Sequence, residues 1–117
     1  MNKKQKENLI KAAKAVMSNE RKAYGQMRDN KGGRCCLCVM ADELNLKSRL
    51  DPILPSIDEF KNTFGFDFTN QYFLIDGQSE KLQIFNDASH ISVAGKSEKT
   101  HQQIGKALLE FAKQQEV

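Results

Sequence analysis

The most restrictive feature of the chain is a run of seven residues, 35–41, in which every side chain is apolar. Two acidic residues end the run. A short apolar run fits either a buried strand or a buried helix. Apolar side chains continue at helical spacing past the acidic pair, as Leu37, Met40 and Leu44 show, so we predict a helix over residues 35–46. Because the start of this helix is apolar on every side, it has to be buried there.

Three further segments have the pattern of amphipathic helices. Residues 4–17 carry apolar side chains on one side and lysines on another, and residues 101–114 carry a second apolar stripe. A short helix is predicted over 57–63, because Ser56 begins a capping-box pattern and Gly65 is a typical residue at a helix end.

Two segments have the composition of strands. Residues 71–76 and 81–86 are rich in aromatic and β-branched side chains, and residues 77–80 between them predict a four-residue hairpin loop. Apolar residues alternate with polar ones in the second strand, so one face of the hairpin should be buried against the terminal helix. The residues expected to include core side chains are Tyr72, Leu74, Leu82 and Ile84.

Together these segments predict one α+β domain over residues 1–117, with helices packed on a small antiparallel β-hairpin or short sheet. A chain of 117 residues suits a single domain. No stretch approaches the ~20 apolar residues that a membrane span needs, and no apolar segment of a secretory signal follows the basic N-terminal residues. We therefore expect a cytoplasmic protein that makes no contact with a membrane.

Charge is distributed unevenly along the chain. Residues 1–34 carry ten Lys or Arg against three Asp or Glu, a net of +7, and residues 35–117 carry eight against twelve, a net of −4. This asymmetry fits either an acidic partner such as nucleic acid or mutual attraction between two halves of one domain. If nucleic acid binds, the residues expected to contact its phosphates are Lys11, Lys14, Arg28, Lys31 and Arg34.

Three cysteines lie within four residues, at positions 35, 36 and 38, so they cannot form a disulfide framework across the fold. A helix that begins near Cys35 would lower the pKa of its thiol, which makes a Cys-x-x-Cys redox site one hypothesis. The alternative is that the cysteines are small buried side chains. We favour this alternative and predict that Cys36 lies in the core. Cys35 and Cys38 should be reduced and hold no metal or cofactor, because neither a thioredoxin-like pattern nor a second pair of ligands accompanies them.

A group of polar residues follows the second predicted strand. Asn86, Asp87 and His90 form a candidate polar site in a loop. The alternative is an Asx-turn, in which Asn86 or Asp87 bonds to its own backbone. The turn is the more common arrangement.

Several short motifs occur in a recognisable order. They are Gln26, Cys35-Cys36-Leu37-Cys38-Val39-Met40, Leu54-Pro55, Phe85-Asn86-Asp87, and Thr100 with Ile104-Gly105. Their order resembles a loose group of small, mostly uncharacterised proteins of phages, prophages and other mobile elements, with the pattern Tyr-Cys-Cys-Leu-Gly-Val-Leu … Leu-Asn-Asp. The chain departs from that pattern at Cys38, where the group has glycine, and at Arg34, where it has an aromatic residue. The resemblance implies a genomic setting and no particular reaction.

The sequence contains no nucleophile elbow and no phosphate-binding loop. Together with the resemblance, this favours an accessory protein of a mobile element that acts by binding an unidentified protein partner. One alternative is a nucleic-acid-associated protein that uses its basic N-terminal part. A second alternative is a thiol- or metal-dependent enzyme.

Overall fold

Five helices and a short hairpin make up the part of the chain that the computed structural model describes, residues 1–19, 32–46, 56–87 and 98–116. In chain order the elements are α1 (Lys3–Ser18), α2 (Cys36–Glu43), α3 (Ile57–Phe64), β1 (Phe73–Ile75), β2 (Gln78–Glu80), α4 (Leu82–Asp87) and α5 (His101–Gln114). The two strands are antiparallel, so the predicted α+β class is confirmed.

Four of the helices begin and end close to where the sequence predicts them. The Ser56 side chain accepts a hydrogen bond from the backbone at the start of α3, and Gly65 ends that helix with a left-handed backbone, φ +82°. At the start of α5, Thr100 and Gln103 bond to each other's backbone N–H groups in a capping box. Such caps satisfy backbone groups that the helix itself leaves unpaired.

The core is built around the pair α1 and α5. Their buried side chains follow helical spacing in both, comprising Leu9, Ala12, Ala13 and Val16 on α1 and His101, Ile104, Gly105, Leu108 and Ala112 on α5. Gly105 allows a close approach: a Cβ atom at this position would lie 2.7 Å from the Ala13 carbonyl oxygen and 2.7 Å from the Met17 backbone nitrogen. The two helices are therefore in backbone contact at this crossing.

A cluster of phenylalanine rings joins α3, β1 and α5. The Phe60 ring lies 4.7 Å from that of Phe64 and 4.9 Å from that of Phe68, measured between centroids. Phe111 of α5 lies 5.1 Å from Phe73 of β1, in an edge-to-face arrangement. Such aromatic pairs stabilise a core beyond the area that they bury. The hairpin thus packs on the terminal helix, as predicted.

The predicted position of the second strand is wrong. Asp76 and Gly77 both have positive φ, 52° and 76°, and form a two-residue turn that pairs Ile75 with Gln78. A tight turn of this kind matches the twist of the flanking strands and is favoured by Asp-Gly. The second strand therefore begins three residues earlier than expected, at Gln78, and residues 82–87 form helix α4 instead.

The predicted inward face of β1 is also wrong. Phe73 and Ile75 are buried, whereas 52% of Tyr72 and 70% of Leu74 is exposed. Side chains alternate between the faces of a strand, so choosing the wrong register exchanges the buried and exposed sets. Of the four residues expected to include core side chains, Leu82 is fully buried, but on a helix.

None of the helices within the described ranges has the length and apolar character required to cross a membrane.

Candidate functional site

Three of the five predicted basic residues meet at one groove, which we call the basic groove. Its volume is about 480 Å³, and Lys11, Lys14 and Arg34 line it together with Asn19 and Glu43. Two of these cations belong to α1 and the third precedes α2, so the fold brings together side chains from separate segments. The two other predicted residues, Arg28 and Lys31, lie outside the described residues.

The α1 side of the basic groove follows from helical spacing. Lys11, Lys14 and Ser18 recur at intervals of three and four residues, which places them on one stripe of the helix. Both lysines are exposed, so their ammonium groups are solvated and mobile.

The opposite side of the groove is held by an ion pair. Nη1 of Arg34 donates to Oδ2 of Asp42 at 2.9 Å, and both side chains are partly buried. A charge-assisted bond of this kind restricts the guanidinium to one orientation. With Glu43 also lining the groove, its three cations are partly offset by two carboxylates.

A buried polar cluster lies where Asn86 of α4 meets His101 of α5. The Asn86 Oδ1 atom accepts from the Cys36 N–H at 3.1 Å and lies 3.0 Å from Nε2 of His101, so this nitrogen is the donor. Asn86 Nδ2 donates to Asp87 at 2.6 Å. Nδ1 of His101 lies 3.0 Å from the side-chain oxygen of Asn19, which connects the cluster to the basic groove.

The predicted polar site is thus only partly assembled. Asn86 and Asp87 do bond to each other, but Asn86 is buried and lies on a helix rather than in a loop. The side-chain carbonyl of Asn86 caps the start of α2 by accepting a hydrogen bond from the backbone N–H of Cys36. Its first role is therefore to pair a buried backbone group. His90 lies outside the described residues.

His101 belongs to this cluster, although the sequence interpretation did not include it in a polar site. A signal was present: His101 stands three residues before Ile104 and seven before Leu108, on the apolar stripe of α5. A polar side chain on a buried stripe needs a hydrogen-bond partner. The side-chain oxygen of Asn86 accepts from Nε2 of His101, and oxygen atoms of Asn19 face Nδ1 on the other side of the ring.

The cysteines are buried, unbridged thiols, and the prediction that Cys36 lies in the core is confirmed. The Cys35 Sγ atom caps α2 by accepting from the Cys38 N–H at 3.4 Å. The redox hypothesis required a lowered pKa for this thiol, and the structure gives the opposite direction. Burial raises the pKa of the Cys35 thiol to about 11, because desolvation of a thiolate outweighs the hydrogen bonds that favour it.

This environment predicts cysteines of low reactivity. A thiol with a pKa near 11 has roughly one molecule in a thousand ionised at pH 8, and burial hinders access further. We expect a chromogenic disulfide reagent at pH 8 to label fewer than one thiol per native chain within minutes. The same reagent should label three in guanidinium chloride. Rapid native labelling of Cys35 would contradict this assignment.

Among residues 1–19, 32–46, 56–87 and 98–116, no three His, Cys, Asp or Glu side chains are grouped so that they could hold a metal ion.

In comparisons with known proteins, no protein-family model, curated protein or solved structure matches the chain.

Proposed function

We propose that this protein is a small accessory protein of a mobile element, and that its basic groove binds the phosphate backbone of a nucleic acid. The observation that carries the proposal is the convergence of Lys11, Lys14 and Arg34 on one groove from two separate segments. The mobile-element setting rests on the resemblance of the cysteine and Asn-Asp motifs.

The charges of the groove suggest how such binding would work. Lys11 and Lys14 are exposed and adjust to the spacing of phosphates, while the ion pair with Asp42 holds Arg34 in one position. Binding of this kind is electrostatic and independent of base sequence. Three phosphate contacts predict a slope of about −2 to −3 when the logarithm of the association constant is plotted against that of the salt concentration.

The proposal is tested by fluorescence anisotropy with a labelled single-stranded oligonucleotide and a labelled duplex at low salt. The double variant Lys11→Glu/Lys14→Glu should weaken binding by about tenfold or more, because it reverses two of the three cations. The matched control is Lys3→Glu/Lys4→Glu, which makes the same charge change on exposed residues of α1 that do not line the groove. The control should weaken binding by about threefold at most.

A gain of affinity provides the complementary measurement. Glu43 lines the groove, so Glu43→Gln should strengthen binding by removing a carboxylate that repels phosphate. An unfolded variant cannot give this result. Equal losses from the two double variants would attribute binding to net charge alone, and no binding by the parent at low salt would refute the proposal.

A second candidate function is the binding of a protein partner through the hairpin. It is favoured by a specific observation: Leu74 of β1 and Tyr72, which directly precedes that strand, are both large exposed side chains and stand two residues apart. Exposed apolar patches of this kind are typical of protein-binding surfaces.

A further inference from the structure

The hairpin has one edge that β2 does not cover. Within the described residues the sheet consists of β1 and β2, and the far edge of β1 faces a groove of about 330 Å³ along α5, lined by Tyr72, Leu74, Ala107 and Glu110 among others. An uncovered strand edge next to exposed apolar side chains is a template for pairing with another strand.

The register shows which backbone groups this edge presents. Ile75 pairs with Gln78 across the two-residue turn, and residues that flank such a turn exchange both backbone hydrogen bonds. The next pair, Leu74 with Ser79, is then a non-hydrogen-bonded pair, so the N–H and C=O of Leu74 point away from β2. Neither group has a hydrogen-bond partner within the described ranges.

Two contacts fix the direction of α5 beside this edge. Gln103 Nε2 donates to Oδ2 of Asp76 at 3.1 Å, and the ring of Phe111 packs on that of Phe73. Strand and helix therefore run in opposite directions. Two neighbouring grooves are each lined by Leu74 together with Ala107 and Glu110. Leu74 therefore lies level with the middle of α5.

We propose that a second copy of this chain occupies the edge, its β1 adding antiparallel to this β1 about a two-fold axis at Leu74. The N–H of each Leu74 then donates to the C=O of Leu74 of the partner subunit, and a four-stranded sheet results. The inference deepens the second candidate function by naming its partner, and it does not depend on the basic groove.

Charge complementarity favours a second copy over an unrelated peptide. The same two-fold axis sets α5 antiparallel to its counterpart, with the midpoint near the level of Ala107 and Glu110. Lys106 then faces Glu110 of the partner subunit, and the reverse contact is identical by symmetry. Both side chains are exposed in the single chain. Lys106 and Glu110 give this side of α5 one charge of each sign, which complements the same side of an antiparallel copy. The pair has no net charge, so it gives no preference for an acidic or a basic peptide.

Sedimentation equilibrium over a range of concentrations tests the inference, which requires a reversible monomer–dimer transition. Leu74→Lys should raise the dissociation constant about tenfold or more, because two ammonium groups would meet at the axis. The matched control is Ile57→Lys, since Ile57 is another exposed apolar residue but lies on α3, and it should leave the dissociation constant unchanged.

Charge exchange tests the register of the helices. Lys106→Glu alone and Glu110→Lys alone should each weaken the dimer, and the double variant should restore it.

A disulfide tests the register of the strands. The Cα atoms of a hydrogen-bonded antiparallel pair are about 5.5 Å apart, within disulfide range, so Leu74→Cys should give a covalent dimer on mild oxidation. Tyr72→Cys should not, because its two copies would be about 13 Å apart.

A monomer at every concentration would overturn the inference, as would a dimer that Leu74→Lys leaves intact or one that Leu74→Cys does not cross-link. The parent could instead be monomeric and bind an identified protein partner that the Leu74→Lys variant no longer binds. That result would overturn the proposed self-association while supporting protein binding as a function of the hairpin. Oligonucleotide binding by the Leu74→Lys variant reports on the basic groove separately.

Discussion

Replacing Asn86 with leucine should lower the free energy of unfolding by about 3 to 4 kcal/mol. The Asn86 Oδ1 atom accepts from two buried donors, the Cys36 N–H and Nε2 of His101. Removing an acceptor from a buried donor costs about 1–3 kcal/mol for each donor. Leucine is close to asparagine in size but accepts no hydrogen bond, so both contacts are lost. Urea denaturation followed by circular dichroism measures the change.

Two controls distinguish the loss of hydrogen bonds from a general effect of the substitution. Asn62→Leu makes the same change at an exposed position, and surface changes usually cost within about 0.5 kcal/mol. His101→Leu combined with Asn86→Leu should cost less than the sum of the single variants, because both remove the same contact. If the losses in free energy of unfolding were additive, or if Asn86→Leu cost less than about 1 kcal/mol, the hydrogen bonds of Asn86 would not contribute as described.

Gly105→Ala should destabilise the protein by about 1 to 2 kcal/mol, although alanine is the better helix former by about 1 kcal/mol. The added methyl group would lie 2.7 Å from the Ala13 carbonyl oxygen and would overlap the Met17 side chain. Backbone atoms of α1 cannot move aside as the end of a side chain can, so the two helices must separate. Overpacking of this kind typically costs about 1–3 kcal/mol.

Thermal or urea unfolding of Gly105→Ala gives the sign of the effect directly. Gly77→Ala is the matched control, because no atom lies within 4 Å of the position of its added methyl group. Its positive φ of 76° should still cost about 1 kcal/mol. A Gly105→Ala variant more stable than the parent would show that helix propensity outweighs the backbone contact.

The helices were predictable because their signals are local. Periodicity gave the apolar stripes of α1 and α5, and the capping residues Ser56 and Thr100 gave the start of α3 and of α5. Each signal acts within one or two turns, so no knowledge of tertiary structure is needed.

The hairpin was predicted in kind but not in register. Asp76-Gly77 is a strong signal for a two-residue turn, yet the alternation of apolar and polar residues after Glu80 suggested that the second strand lay there. Leu82, Phe85 and Asn86 also fit helical spacing, and burial against α2 and α5 decides between the two periods. In a segment of six residues, the sequence pattern alone does not distinguish a helix from a strand.

The candidate site depends on contacts between distant residues, which explains why only its members could be predicted. Charge singled out Lys11, Lys14 and Arg34, but their convergence follows from how α1 packs on α2. The bond between Asn86 and His101 likewise spans two helices. A single sequence gives residue types and local spacing, whereas such pairings arise only when the chain has folded.

The contact between α1 and α5 has a consequence for how the protein is made. Lys6 and Gln115 are joined by a hydrogen bond although they stand 109 positions apart in the chain. At the usual rate of synthesis, roughly 5–20 residues per second, α1 waits several seconds before α5 has been translated. Until then the apolar stripe of α1 lacks its main partner, and long-range contacts of this kind slow folding. Synthesis of α5 is therefore the step that supplies α1 with its main packing partner.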